Sequence, residues 1–223
     1  MMRRTHVWKF YTGDFQRAFL KLRFETSDDR GKTYRYWAPI HPPGGWTPGV
    51  WRKPEGADSL LYNLPELLVH PRVELWWLEG ERDADRVGEE GVLTTSHHGG
   101  AGKVSREQAQ RLSKHRADIV LCADNDLPGA VDLVRRYDLL REWHPAKRLR
   151  IVAPPARYKD ARDALDAGVE LTEFRTLNLT RVRDAAGRAC EADFHGGGYL
   201  EPLTPEELAD AERKHWRFFG SAP

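Results

Sequence analysis

The chain has 223 residues, a formal net charge of +1, 40% hydrophobic and 31% charged residues. That length allows one large domain or two small ones with a real core. The near-neutral balance excludes a polycation, so any contact with nucleic acid has to come from local clustering of charge. The two cysteines, Cys122 and Cys190, exclude a zinc site of the four-cysteine type or the paired-cysteine, paired-histidine type. The opening M-M-R-R-T-H-V-W lacks the apolar stretch of a signal peptide, and no run approaches transmembrane length. The expectation is a cytoplasmic protein with no membrane partner.

Residues 1–59 form a basic, β-rich N-terminal part. Residues 7–11, 15–25 and 33–40 alternate apolar with polar side chains, F-L-K-L-R-F-E being the clearest case. This pattern predicts half-buried antiparallel strands, with a hairpin turn over residues 27–32. Residues 39–49 hold four Pro and three Gly and read as a loop. Lys and Arg are interleaved here with Trp and Tyr, a mixture suited to single-stranded nucleic acid: cations follow phosphates while rings stack on bases. Lys21, Arg23, Arg35, Trp37, Arg52 and Lys53 are the candidate nucleic-acid contacts. The alternative is an ordinary small sheet with aromatics inside and Lys and Arg on the wet face.

The next predicted strand is Leu75-Trp76-Trp77-Leu78, a short apolar run without helical period. It ends in Glu79-Gly80, followed by the acids Glu81 and Asp83 and a helix pattern over residues 82–90. A short strand over residues 91–95 leads to a glycine-rich loop, S-H-H-G-G-A-G-K, at 96–103. The loop fails as an ATPase P-loop, because His97 stands where Gly is needed and Val104 where Ser or Thr should be. Its amides and Lys103 still suit a phosphate. His97 and His98 are adjacent, so their side chains are expected to diverge. Residues 105–116 read as an amphipathic helix capped by Ser105.

A second buried strand, I-V-L-C-A at 119–123, runs into Asp124-Asn125-Asp126, with Gly129 behind and a helix over 127–141. A third, L-R-I-V-A at 149–153, precedes Lys159-Asp160-Ala161-Arg162-Asp163. Three strand ends thus deliver carboxylates towards one side of one sheet, where open α/β sheets place their sites. Crowded acids need a cation, and hard oxygen ligands suit Mg2+ or Mn2+. Arg157 and Lys159, beside these acids, are candidate phosphate contacts. Asp160 has two readings, metal ligand or cap of a helix over 161–167 that ends at Gly168. Beyond it, residues 174–183 and 189–194 are expected to form a hairpin about a turn at 184–188. A capped helix is expected over 205–219.

E-G-E-R-D at 79–83, D-N-D at 124–126 with Gly129 behind, and K-D-A-R-D at 159–163 resemble the successive motifs of the TOPRIM domain. That domain is shared by primases, topoisomerases and some nucleases. The variant is closest to the phage primase–helicase type, and the resemblance covers residues 60–168. Y-N-L at 62–64 is similar to the segment that leads into the TOPRIM core of primase-like proteins. The resemblance implies Glu79 as catalytic acid or base, Asp124 and Asp126 as metal-binding catalytic acids, and Asp83 and Asp160 as supporting metal ligands.

The combined expectation is an α/β protein: the N-terminal part at 1–59, a TOPRIM-like parallel sheet with helices on both faces at 60–170, and a C-terminal hairpin and helix at 171–223. The expected activity is primase-like, Mg2+- or Mn2+-dependent nucleotidyl transfer with NTPs on single-stranded DNA. The alternatives are a TOPRIM nuclease and a non-catalytic module that binds nucleic acid or docks a partner. With neither a zinc ribbon nor a helicase motor legible, the expected partners are a separate helicase or a single-strand-binding protein.

Overall fold

The computed structural model describes residues 2–27, 31–40 and 47–195, with the side chains of 40, 47, 48 and 188–195 outside the description. The N-terminal alternation builds a four-stranded antiparallel sheet in the order β1 (Met2–Tyr11), β2 (Arg17–Thr26), β3 (Lys32–Ile40), β4 (Thr47–Val50). The short β4 corrects the reading of 39–49 as a loop throughout. It is an edge strand pairing Ala38 with Val50, and an edge strand tolerates Pro48 because a missing N–H need not break a ladder. The core of this sheet is Trp8, Phe10, Phe19 and Ala38, closed by Ala57, Leu60 and Leu64. Leu64 opens α1 (Leu64–Val69), which has Pro65 in its first turn.

The second sheet has the order β6-β5-β7-β8-β9, from β5 (Leu75–Leu78), β6 (Leu93–Ser96), β7 (Ile119–Cys122), β8 (Leu149–Ala153) and β9 (Arg175–Thr176). The first four strands are parallel and β9 is antiparallel. Helices α2 (Glu81–Gly88), α3 (Arg106–Ser113), α4 (Leu127–Trp143) and α5 (Ala161–Asp166) lie between these strands in sequence. Every residue of β5 and β7 is buried, as a sheet covered on both faces requires. Strand alternation divides the core. Leu75, Trp77 and Leu121 pack with α3 and α4 on one face, while Trp76, Leu78, Val120 and Cys122 pack with α2 and α5 on the other. Ser105 caps α3 in a reciprocal capping box with Gln108.

The C-terminal hairpin expected over 174–194 is not formed. After the two residues of β9 the chain becomes α6 (Leu179–His195) and packs against α4, with Val182 and Ala185 in the same core as Leu133 and Leu140. Asn178 starts it, its Oδ1 accepting from Thr180 N at 2.9 Å. That cap, with Val182, Ala185 and Ala186 at helical spacing, outweighs the short alternation in L-N-L-T-R-V-R. The helix expected over 205–219 lies outside the described residues, as do parts of the 27–32 turn and the 41–46 segment. No helix among the described residues is long and apolar enough to cross a membrane.

Candidate active site

The strand order fixes where a site can form. From β5 the chain moves outward to β6, then crosses back to β7 on the other side of β5 and continues to β8. The reversal falls between β5 and β7, and ligands of open α/β sheets bind at the carboxyl ends of the strands flanking such a reversal. Glu79 follows the last residue of β5, and Asp124 stands two residues beyond β7.

The carboxylates there feel one another. Burial and then the charge of Asp132 push Glu79 up to about 7. Burial and then Asp160 push Asp83 up to about 7. Asp124 is raised by burial, then by Glu79, Asp83, Asp126 and Asp160. Asp160 is raised mainly by burial. Helix starts converge on the same edge: Asp126 caps α4 by accepting from Gly129 N at 2.8 Å, and Asp160 caps α5 by accepting from Asp163 N at 2.8 Å. Asp160 therefore caps α5 with one of its two oxygens. Asp83 accepts from Arg162 N at 3.3 Å, which joins the first motif to the third.

Two further residues shape this edge. A Cβ at position 129 would meet Asp124 O at 2.6 Å, so only glycine lets α4 start this close to the acid turn. The middle residue of D-N-D, Asn125, is a clamp: its Nδ2 donates to Pro154 O at 3.1 Å and Tyr158 O at 2.7 Å. It thereby holds the loop that carries Lys159 and Asp160.

The donor set fits a hard divalent cation. It is all oxygen, and Glu79 Oε2 is buried without a hydrogen-bond partner. Among the described residues, no three His, Cys, Asp or Glu side chains converge tightly enough to hold a metal ion as they stand.

Sequence reasoning missed the groups behind this edge. Asp132 and Arg136, one turn apart on α4, are both fully buried, with Arg136 Nε 2.7 Å from Asp132 Oδ2. Arg136 also donates to Trp77 O and, at 2.9 Å, to Cys122 O. Asp132 Oδ1 accepts from Gly102 N at 2.8 Å and lies 3.2 Å from His97 Nε2. That amide of the glycine-rich loop is thus committed internally, while Lys103 is exposed. His98 turns the other way, edge-on to Phe10 and Phe19 of the first sheet, so the two histidines do diverge. An arginine group also went unnoticed. His6 and Arg23 face each other across β1 and β2, and His6, Arg82, Arg86 and Arg162 line one cavity of about 390 Å3 together with the acids Asp85, Glu89 and Asp166.

Of the nucleic-acid candidates, Arg35, Arg52 and Lys53 share an open cavity of about 370 Å3 with Tyr34, Tyr36 and Trp51. Trp51 is 62% exposed. Arg23 is half-buried in the arginine group instead. Lys21 is a correction: its ammonium is buried, donating to Glu81 Oε1 at 2.7 Å, Glu81 Oε2 at 2.9 Å and His98 O at 2.7 Å. The alternation in F-L-K-L-R-F does set Lys21 beside Phe19, but that face is turned onto the second sheet rather than to solvent. Trp37 is also less open than expected, being half-buried with Arg17 over its ring and packed against Gly49. Arg157 and Lys159 are exposed near Asp160, with Arg157 over the Tyr158 ring.

No protein-family model and no curated protein sequence matches the chain. Among solved structures it is similar to the Escherichia coli primase catalytic core, with 13% identity and a TM-score of 0.56 over 99% of this chain and 64% of that one. It also aligns with a DnaG primase catalytic domain bound to single-stranded DNA (11% identity, TM-score 0.47, 95% and 69% covered). A third match is a DNA primase domain from Pseudomonas aeruginosa (16%, 0.43, 91% and 69%). The chain spans less than two thirds of the Escherichia coli core. An antiparallel sheet leading into a mostly parallel sheet, with acids at the strand reversal, gives this chain the fold of the part of a primase catalytic core that it spans.

Proposed function

We propose that this chain carries out primase-like, metal-dependent nucleotidyl transfer on single-stranded DNA. The observation that carries the reading is the set of acids, Glu79, Asp83, Asp124 and Asp126, just beyond the carboxyl ends of β5 and β7 in a primase-type fold. Glu79, Asp124 and Asp126, with Asp83 and Asp160 beside them, would hold Mg2+ or Mn2+. A divalent cation bound there neutralises phosphate oxygens and favours ionisation of the attacking hydroxyl.

In the transfer, a 3′ hydroxyl oxygen bonds to the α-phosphorus of an NTP, the bond to the β-phosphate oxygen breaks, and pyrophosphate leaves. Glu79, directly beyond the carboxyl end of β5, would take the hydroxyl proton. Arg23, Arg82 and Arg162 supply positive charge beside Asp83 and Asp160, and exposed Lys103, Arg157 and Lys159 are further candidates for phosphate contact. The cavity of Tyr34, Arg35, Trp51, Arg52 and Lys53 pairs cations with rings, the combination that follows an unstacked strand. A separate helicase or single-strand-binding protein would deliver the template.

The test offers a labelled single strand with Mg2+ or Mn2+, with and without NTPs. New NTP-dependent, template-directed oligonucleotides support the reading. A strand that is shortened equally without NTPs supports the nuclease chemistry of the same acids, and binding without either product supports the silent module.

A further inference from the structure

The buried Asp132–Arg136 pair has no role in the chemistry above, yet its partners are distinctive. Arg136 donates to Trp77 O and Cys122 O. Each carbonyl lies two residues before an acid, Glu79 after Trp77 and Asp124 after Cys122. The ladder between β5 and β7 ends at Trp77 paired with Leu121. On their outer sides the same strands run further, Leu78 pairing with Ser96 and Cys122 with Val152. The guanidinium therefore spans β5 and β7 where their own hydrogen bonds stop, at the mouth of the crevice.

The other end of the network reaches the glycine-rich loop. Asp132 Oδ1 accepts from Gly102 N, and His97 Nε2 lies 3.2 Å from that oxygen and 3.0 Å from Gly100 O. Groups from β5, β7, α4 and the 97–102 loop thus meet in one buried cluster. Stability alone is a poor reason for it. Apolar residues of similar volume in place of a buried ion pair are often neutral or stabilising, because desolvation offsets most of the attraction. What an apolar pair cannot do is bond two carbonyls and an amide at fixed directions.

We propose that Asp132 and Arg136 are positioning residues: Arg136 sets the separation of the β5 and β7 ends, hence of Glu79 and Asp124, and Asp132 locks that spacing to the loop 97–102. The inference rests on reading those acids as metal ligands. It adds that their spacing is imposed from α4.

The test compares the native protein with Asp132→Ala/Arg136→Leu, which removes the brace without leaving a lone buried charge, and with Arg136→Lys, which keeps the charge but not the fork. Two readouts need no turnover: Mn2+ affinity by electron paramagnetic resonance, and hydrogen exchange at the Trp77 and Cys122 amides, which face the seam between β5 and β7. The expected result is a folded double variant with Mn2+ bound about tenfold more weakly, the scale of supporting-residue effects, and faster exchange at those two amides than at β8. A folded double variant with unchanged affinity and unchanged exchange overturns the proposal. If the double variant does not fold, Arg136→Lys decides by the same two readouts. If the native protein binds no Mn2+, the metal reading fails, and exchange in the variants alone judges the brace.

Discussion

Glu79, Asp83, Asp124 and Asp160 lie along the edge of the second sheet, where burial and then neighbouring carboxylates raise their proton affinity, whereas Lys21, on the first sheet, is enclosed by both oxygens of Glu81. Both regions bury charge, but of these acids only Glu81 has a cation hydrogen-bonded to both of its oxygens; Arg136 and Arg162 act on Glu79 and Asp83 without a side-chain bond to them. Glu81 lies two residues from Glu79 and carries the same functional group, yet it is a structural partner because a cation reaches it. Motif membership therefore does not assign a role here; the reach of an opposite charge does. Trp8 Nε1 and Tyr62 OH complete the junction between the sheets by donating to Asp85 at 2.8 and 2.6 Å.

The largest expected effect comes from the acids at the sheet edge. Asp124→Asn with Asp126→Asn should lower Mg2+-dependent turnover to background. The fold should persist, since Asn caps helices as well as Asp and repulsion is relieved. Turnover assays with circular dichroism check this, and undiminished activity would move the chemistry elsewhere.

The Lys21–Glu81 pair should break differently. Lys21→Met strands a buried Glu81 carboxylate and should cost about 3–5 kcal/mol of stability, read by denaturant unfolding. Lys21→Met with Glu81→Leu should recover most of that loss. If the single variant costs nothing, the pair is not the junction described.

A pH series sharpens the contrast. The raised acids bind more protons in the folded than in the unfolded chain between their ordinary range near 4 and about 7. The contribution of these acids to folded stability without divalent metal should therefore be largest at acid pH and fall as pH rises through about 7, opposite in sign to that of His98, which burial holds down to about 4. Added Mg2+ should restore stability at the alkaline end, where the carboxylates are ionised. Without metal, the melting temperature should fall more steeply from pH 5 to pH 8 in the native protein than in Asp83→Asn, and an equal pH dependence in the two runs against the raised acids described.

The smallest effect belongs to the open groove. Charge reversal at Arg35, Arg52 and Lys53 should lower single-strand affinity and flatten its salt dependence, by about 0.7 in logarithmic slope per lost phosphate contact. The same reversal at Lys21 should instead damage the fold.

Legibility in the sequence followed burial. L-W-W-L and I-V-L-C are continuous apolar runs because both faces of a central parallel strand are covered, so these strands and the acids at their ends could be read directly. F-L-K-L-R-F gave its period but not its orientation, since alternation defines two faces without saying which one meets the rest of the protein. Asp132 and Arg136 look like any exposed i,i+4 ion pair on an amphipathic helix, and only the packing of α4 under the strand ends buries them. The strand reading of 174–194 failed where a local cap at Asn178 and small residues facing α4 favoured a helix.

The most direct measurement is anomalous scattering from a crystal of this protein grown or soaked with Mn2+. The expected result is a peak among Glu79, Asp124 and Asp126 that disappears in Asp124→Asn/Asp126→Asn. A Mn2+ peak elsewhere with none at this edge, or an unchanged peak in the variant, would contradict the assignment of these acids as the metal-binding centre.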